Sequence, residues 1–257
     1  MKKILLLLLI SSYTYAFTLV GSSIAVFEEG DITVNVGAQA CTNVTDSPDE
    51  LLNLVSEATE KFWNRVSTSE LELQVGSLQT ISASFYTDQI CSSGAGCVPA
   101  VSSGILIVCN SNTTTFNSAS KLAVALPNNV SGSNIVGAIV AINDAAGTSF
   151  NTQTREEKIS VLAHEIGHAF GLGHSKFKDS LMFPANQSGR TNLGRDDWDG
   201  ATFLYPKEQG PMGLCGTTTD VSKSGPGNYP TVLLLLFGLF LIGNQIMRGK
   251  KLFVKIN

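Results

Sequence analysis

"HEIGHAFGLGHSKFKDSLMFP", His164 to Pro184, holds all three histidines of a 257-residue chain. Two of them, His164 and His168, are four residues apart. On a helix that spacing leaves them about 40° apart on one face, near enough to share one ion. Glu165 stands one step round from His164, beside such an ion rather than on it. A carboxylate there can take a proton from a water activated at the metal. His174 lies six residues beyond His168, where a continuing helix would point it elsewhere. Gly171 allows the chain to turn back, because glycine suits the left-handed conformation of a helix end. Three neutral imidazoles with one open position describe a catalytic rather than a structural zinc site.

The stretch before the motif supports a helix. Thr154 and Glu157 form a capping box. Ile159, Leu162, Ala163, Ile166 and Phe170 recur at helical spacing and make an inward stripe. A solvated helix face is the plain alternative for H-E-x-x-H alone, and the glycine and third histidine at this spacing count against it.

Taken together, "HEIGHAFGLGH" and the following "SLMFP" resemble the metzincin clan of zinc endopeptidases. Ser175 after the third histidine is similar to the matrixin, or matrix metalloprotease-like, branch. Met182 matches the methionine that lies beneath the zinc in that clan. "LGRDDWDGATFLYP" (Leu193 to Pro206) resembles the matrixin C-terminal helix with its paired Asp196 and Asp197. The resemblance implies an α+β, zincin-like fold: a twisted mixed sheet, two long helices and a small C-terminal subdomain. It implies one zinc held by His164, His168 and His174, with Glu165 as general base and Met182 and Gly171 supporting the site. It also implies a protein or peptide substrate lying antiparallel along an exposed strand edge. Structural calcium is common in the family. Asn143 and Asp144 are candidate oxygen ligands, although the same pair caps a strand equally well. The chain departs from the family in two respects. No histidine is left for a second zinc, and no cysteine precedes the first strand to block the metal.

Outside the motif, "SPDELLNLVSEATEKFWNRV" (Ser47 to Val66) reads as a helix with Ser47 as N-cap, Pro48 in the first turn and Glu50 completing a capping box. Leu51, Leu52, Val55, Ala58, Phe62 and Val66 share its apolar face. Strands are expected at 31–36, 70–75, 104–109, 122–126 and 135–142, the last buried on both faces. Residues 91–103 and 110–120 read as loops.

Composition bounds the rest. Charged residues make up 15% and hydrophobic residues 43%, with a formal net charge of -4 and no basic stripe in mid-chain. Nucleic acid is therefore excluded as a partner. Residues 1–16, "MKKILLLLLISSYTYA", carry two lysines, an apolar run and small residues, and read as a signal peptide cut after Ala16; a buried strand is the rival reading. Export implies an oxidising compartment. The five cysteines are Cys41, Cys91, Cys97, Cys109 and Cys215. One or two disulfides are expected, with Cys91 and Cys97 able to close a short loop.

The metalloprotease domain is placed at 17–207 and a Gly/Pro-rich linker at 208–228. Residues 229–257 hold an apolar run and a basic tail, read as a membrane anchor or sorting tail that leaves the basic end cytoplasmic and the protease domain at the extracellular or periplasmic face; a core helix is the rival. The reading is a secreted or envelope-anchored zinc endopeptidase. Its rivals are a surface binding module that keeps zinc without turnover, and a zinc hydrolase of non-peptide amides. Nothing in the sequence bears on oligomeric state.

Overall fold

Five strands assemble in the order β2-β1-β3-β5-β4. They are β1 (Asp31–Gly37), β2 (Glu72–Gln79), β3 (Gly104–Asn110), β4 (Ala123–Ser131) and β5 (Asn134–Asn143). The computed structural model describes residues 17–185 and 190–207, all within the unit that ends at Glu208. The expected signal peptide, linker, C-terminal anchor and Cys215 lie outside the described residues.

The order follows from apolar content. β3 and β5 are near-continuous apolar runs, so they occupy the middle, where both faces are covered. They pair in parallel from Gly104 with Gly137 to Asn110 with Asn143. β1 runs parallel to both β2 and β3. β4 alone is antiparallel, and it pairs with β5 only, so it forms one edge of the sheet. It extends well past the expected 122–126. Pro127 lies within it, and its register shifts there, as an edge strand with a bulge tolerates.

Successive residues of the central strands serve opposite faces. Ile105, Ile107, Val140 and Ile142 join the core beneath the two long helices, whereas Leu106, Val108, Ile139 and Ala141 pack with Phe85, Tyr86, Ile90 and Phe116 on the other side. The helices are α1 (Pro48–Lys61), the one-turn α2 (Ser84–Thr87), α3 (Arg155–Ala169) and α4 (Arg195–Leu204). Both expected capping boxes are present. Ser47 N–H donates to Glu50 at 2.8 Å, and Thr154 N–H donates to Glu157 at 2.9 Å.

α1 ends earlier than its apolar pattern implies: the chain tightens into a 3₁₀ turn at Trp63–Arg65. Leu54 is buried on α1, while Leu52 is only partly so. The cysteines pair as Cys41–Cys109 and Cys91–Cys97. The first ties the loop after β1 to the end of β3, and the second closes the short loop expected from sequence.

Candidate metal centre

α3 carries the first two histidines, and its inward stripe anchors them. Ile159, Leu162, Ala163, Ile166 and Phe170 are all buried. The Trp63 indole N–H donates to Ala163 O at 2.7 Å, one residue before His164. The helix stops at Ala169, and Gly171 follows with φ +120°. That angle disfavours any residue with a Cβ, and a Cβ there would also meet Ala25 O at 2.8 Å. The Tyr205 hydroxyl fixes the helix end by donating to Phe170 O at 3.1 Å.

The turn brings His174 back to the other two. One ring nitrogen from each of His164, His168 and His174 lies within 4.8 Å of the others. The remaining nitrogens of the first two are already bonded. His164 Nδ1–H donates to Leu181 O and His168 Nδ1–H to Leu172 O, each at 2.7 Å. A carbonyl only accepts, so these bonds leave each Nε2 unprotonated and aimed at the shared point. Burial supports the neutral form. It lowers the pKa of His164 to about 3 and of His168 to about 4, and it lowers that of His174 as well. Three neutral imidazoles, two of them oriented by these bonds, are a donor set that fits zinc.

His174 is held from an unexpected direction. The segment after Phe17 runs alongside the turn: Gly173 N–H donates to Thr18 O at 2.7 Å, and Thr18 Oγ1–H donates to His174 O at 2.6 Å. No motif marks Thr18 for this role, because it bonds only to backbone.

Glu165 is buried, with no charged partner among the described residues, and burial raises its carboxyl to about 8. It faces a cleft of ≈ 380 Å³ that His164 and His174 also line. Leu122, Val124, Val161, Leu181 and Phe183 form apolar walls of this cleft, and Arg190 lies among them. β4 supplies one wall through its first residues, so the free sheet edge and the histidines share one cleft.

Met182 is buried beneath α3. A Cβ on Gly167 would come within 2.5 Å of Met182 Sδ and 2.8 Å of Trp63 Cζ2, so glycine is what lets this methionine approach the helix. The turn that carries it hangs on Asp197. That carboxylate accepts from Leu181 N–H at 2.6 Å, Met182 N–H at 3.1 Å, Gly194 N–H at 2.7 Å and the Ser180 hydroxyl. Burial nevertheless pushes its carboxyl above the ordinary value. Asp196 differs: Ser175 is its side-chain hydrogen-bond partner, and its Oδ1 is buried without a partner among the described residues.

Asn143 and Asp144 act as caps. Asn143 Oδ1 accepts from Ala145 N–H, and the Asp144 carboxylate accepts from the amides of Thr42, Asn43 and Val44. Their oxygens are engaged by backbone, and nothing here shows calcium.

Residues 108–206 match the matrixin family. Among similar proteins, metalloendoproteinase 5-MMP of Arabidopsis thaliana is 50% identical over 48 residues, which is 18% of this chain and 13% of the relative. Human neutrophil collagenase is 34% identical over 79 residues, 30% of this chain and 17% of the relative. Rat stromelysin-1 is 35% identical over 100 residues, 37% of this chain and 20% of the relative. The chain thus spans at most a fifth of the length of these relatives. The matched residues 108–206 contain the histidine cluster, so this part of the chain is similar to the matrixin family, and the mixed sheet with its helices is consistent with a matrixin catalytic domain.

Proposed function

We propose that this chain is an exported, envelope-attached zinc endopeptidase that cleaves proteins by attack of water on the peptide bond. The observation that carries the reading is the convergence of three imidazole nitrogens within 4.8 Å, beside a buried carboxylate with no ion-pair partner among the described residues. A purely structural site has no use for such a carboxylate.

His164, His168 and His174 hold the zinc. When bound, zinc supplies a Lewis acid that polarises a carbonyl oxygen and makes water acidic enough to attack near neutral pH. Glu165 accepts the attacking water's proton on its carboxylate and returns it to the departing amine. The carbonyls of Leu181 and Leu172 keep two of the imidazoles in one tautomer and one orientation. Met182 fills the space beneath α3, and Gly171 makes the turn that delivers His174. An extended peptide aligns on the open edge of β4, exchanging main-chain hydrogen bonds as an added strand. With the peptide antiparallel to β4, the cleft at Leu122–Val124 receives the residue C-terminal to the scissile bond, because β4 runs away from that cleft.

Export and membrane attachment belong to the same proposal. They are supported by the sequences of residues 1–16 and 229–257. Two disulfides, which persist in oxidising compartments, are consistent with export. No helix among the described residues is long and apolar enough to cross a membrane.

The test is metal analysis and casein digestion with the purified chain. One zinc per chain is expected, with digestion abolished by a chelator and restored by zinc. One tightly bound zinc without cleavage of any peptide would overturn the hydrolytic reading in favour of a binding module.

A further inference from the structure

Residues 17–27, "FTLVGSSIAVF", carry no charged side chain. They lie against the β4–β5 hairpin and the turn at Gly171. Val20 N–H donates to Gly171 O at 3.1 Å, Val26 N–H to Ser133 O at 3.0 Å, and Ile135 N–H to Val26 O at 2.7 Å. Between this segment and β4 opens a second groove, of ≈ 390 Å³, lined chiefly by Val20, Ala25, Leu126, Pro127, Val130 and Ile135. No charged residue lines it, and its only polar side chains are those of Ser23 and Ser92. Five large hydrophobic side chains are exposed among the described residues, and three of them border this groove: Val20 at 43%, Ile24 at 48% and Val130 at 46%. A fourth, Phe203, packs on Phe17 at the start of the same segment, with ring centroids 5.0 Å apart. Exposed apolar side chains scattered singly are ordinary, but a cluster round a groove marks a contact surface.

We infer that this groove and its rim rest on a lipid bilayer, with Val20, Ile24 and Val130 seated at the level of the headgroups and upper acyl chains. The inference rests on the membrane attachment in the proposed function. Three observations favour a bilayer over a protein or a peptide. First, the chain leaves the described domain beside this segment. Phe203, four residues before Lys207, packs on Phe17, and the sequence beyond Lys207 runs on to the apolar stretch Val232–Ile242. A domain tethered there needs only weak contact to settle on this side, because the tether supplies the effective concentration. Second, a protein partner would find two hydroxyls and no charge with which to fix its register, whereas protein interfaces carry about one hydrogen bond per 100–200 Å². A bilayer requires only apolar area. Third, an added peptide strand would meet Pro127, which has no N–H to give. The groove takes β4 from Leu126 to Val130, and the metal cleft takes it as far as Val124, so bilayer and substrate use different parts of the strand.

The experiment uses the full chain in vesicles of phosphatidylcholine and phosphatidylglycerol. Single cysteines are introduced as Ile24→Cys, Val130→Cys or Lys61→Cys, each with Cys215→Ser, the other four cysteines being paired. Each protein carries an environment-sensitive fluorophore. Lys61 is the control, since it lies on α1, which packs on β1 and β2 towards the opposite edge of the sheet. All three side chains are exposed, and circular dichroism checks that each variant is folded. After flotation with the vesicles, a nitroxide on the lipid chains should remove most of the emission at positions 24 and 130 and leave position 61 bright. Ile24→Glu added to the Val130→Cys protein should restore the emission at position 130, because a carboxylate resists transfer into an apolar medium. A chain that floats with all three labels equally bright would overturn the inference and leave membrane attachment standing. A chain that does not float would remove both. Energy transfer between two copies labelled at position 24, without quenching by the lipid, would assign the groove to a second copy instead. Quenching that Ile24→Glu leaves unchanged would trace the label's nearness to lipid to the tail alone, and would also sink the inference.

Discussion

Asp197→Ala should cost stability and metal affinity together. The side chain is 1% exposed and receives three backbone N–H groups and one hydroxyl. Ser180 can turn its hydroxyl elsewhere, and Met182 N–H keeps a second acceptor in Ser180 Oγ at 3.1 Å. The amides of Leu181 and Gly194 lose their acceptor. A buried donor left unpaired costs about 1–3 kcal/mol; Leu181 N–H is buried, whereas Gly194 N–H is half-buried and can turn to water, so the loss is about 2–3 kcal/mol. That is a sizeable part of a typical stability of about 5–15 kcal/mol. Asp197→Asn keeps one accepting oxygen and should cost about half as much.

The effect reaches the metal through one peptide unit. The amide of Leu181 bonds to Asp197, while its carbonyl orients His164 and Arg190. Freeing the amide lets the carbonyl move, and losses of such outer partners typically lower metal affinity by about 10–100-fold. Urea unfolding of the chelated protein measures the first effect, and competitive zinc titration of the folded protein measures the second. Asp196 supplies the internal control. It is adjacent in sequence, but its Oδ1 has no partner among the described residues and its bond with Ser175 can be kept by an amide oxygen, so Asp196→Asn should shift stability by less than about 1 kcal/mol. If Asp197→Ala unfolds within about 1 kcal/mol of wild type and binds zinc normally, or if Asp196→Asn costs as much, the proposed chain from Asp197 to His164 is wrong.

Glu165→Gln should keep zinc and lose about 10²–10⁴-fold in kcat, since the amide cannot accept a proton; activity within a few fold of wild type would point to another base. Gly167→Ala should destabilise by about 1–2 kcal/mol in denaturant unfolding, because crowding of Met182 and Trp63 outweighs the better helix propensity of alanine; a stabilised variant would refute that packing. Intact mass of the native protein should show no glycan at Asn43, Asn112 or Asn129. Each begins an N-x-[ST] sequon, but each commits its side-chain nitrogen to a backbone carbonyl, of Asp144, Thr87 and Val101 respectively; the fourth sequon, at Asn186, lies outside the described residues. A chain ending at Lys207 should fold and keep its activity, whereas one ending at Leu204 should not fold. Tyr205 is buried and joins Phe27 N–H to Phe170 O through its hydroxyl; proteolysis of the two forms would expose the difference.

What could be read in the sequence was local, and what could not was carried by backbone. Both capping boxes, the apolar stripe of α3 and the turn at Gly171 depend on residues a few positions apart, so side-chain type and spacing were enough. The same holds for β3 and β5, whose unbroken apolar runs place them at the centre of the sheet. α2 escaped notice because one turn of helix has no period to detect, and the far end of β4 because Pro127 and its bulge interrupt the pattern.

At the metal cluster the division is sharper. The three histidines and Glu165 were legible as types, and Met182 and the Asp196–Asp197 pair only through their resemblance to a family. The parts that orient them are the carbonyls of Leu172, Leu181 and His174, and every residue has a carbonyl. Thr18 and Arg190 reach those carbonyls from 156 and 9 positions away. Only the folded chain brings such groups together. Arg190 offered one clue in sequence, as a lone cation between the Met182 turn and α4. Its meaning depends on which wall of the cleft it joins. Asp197 differs from Asp196 for the same reason: adjacent positions on a helix point about 100° apart, and only one of them meets the amides of the turn.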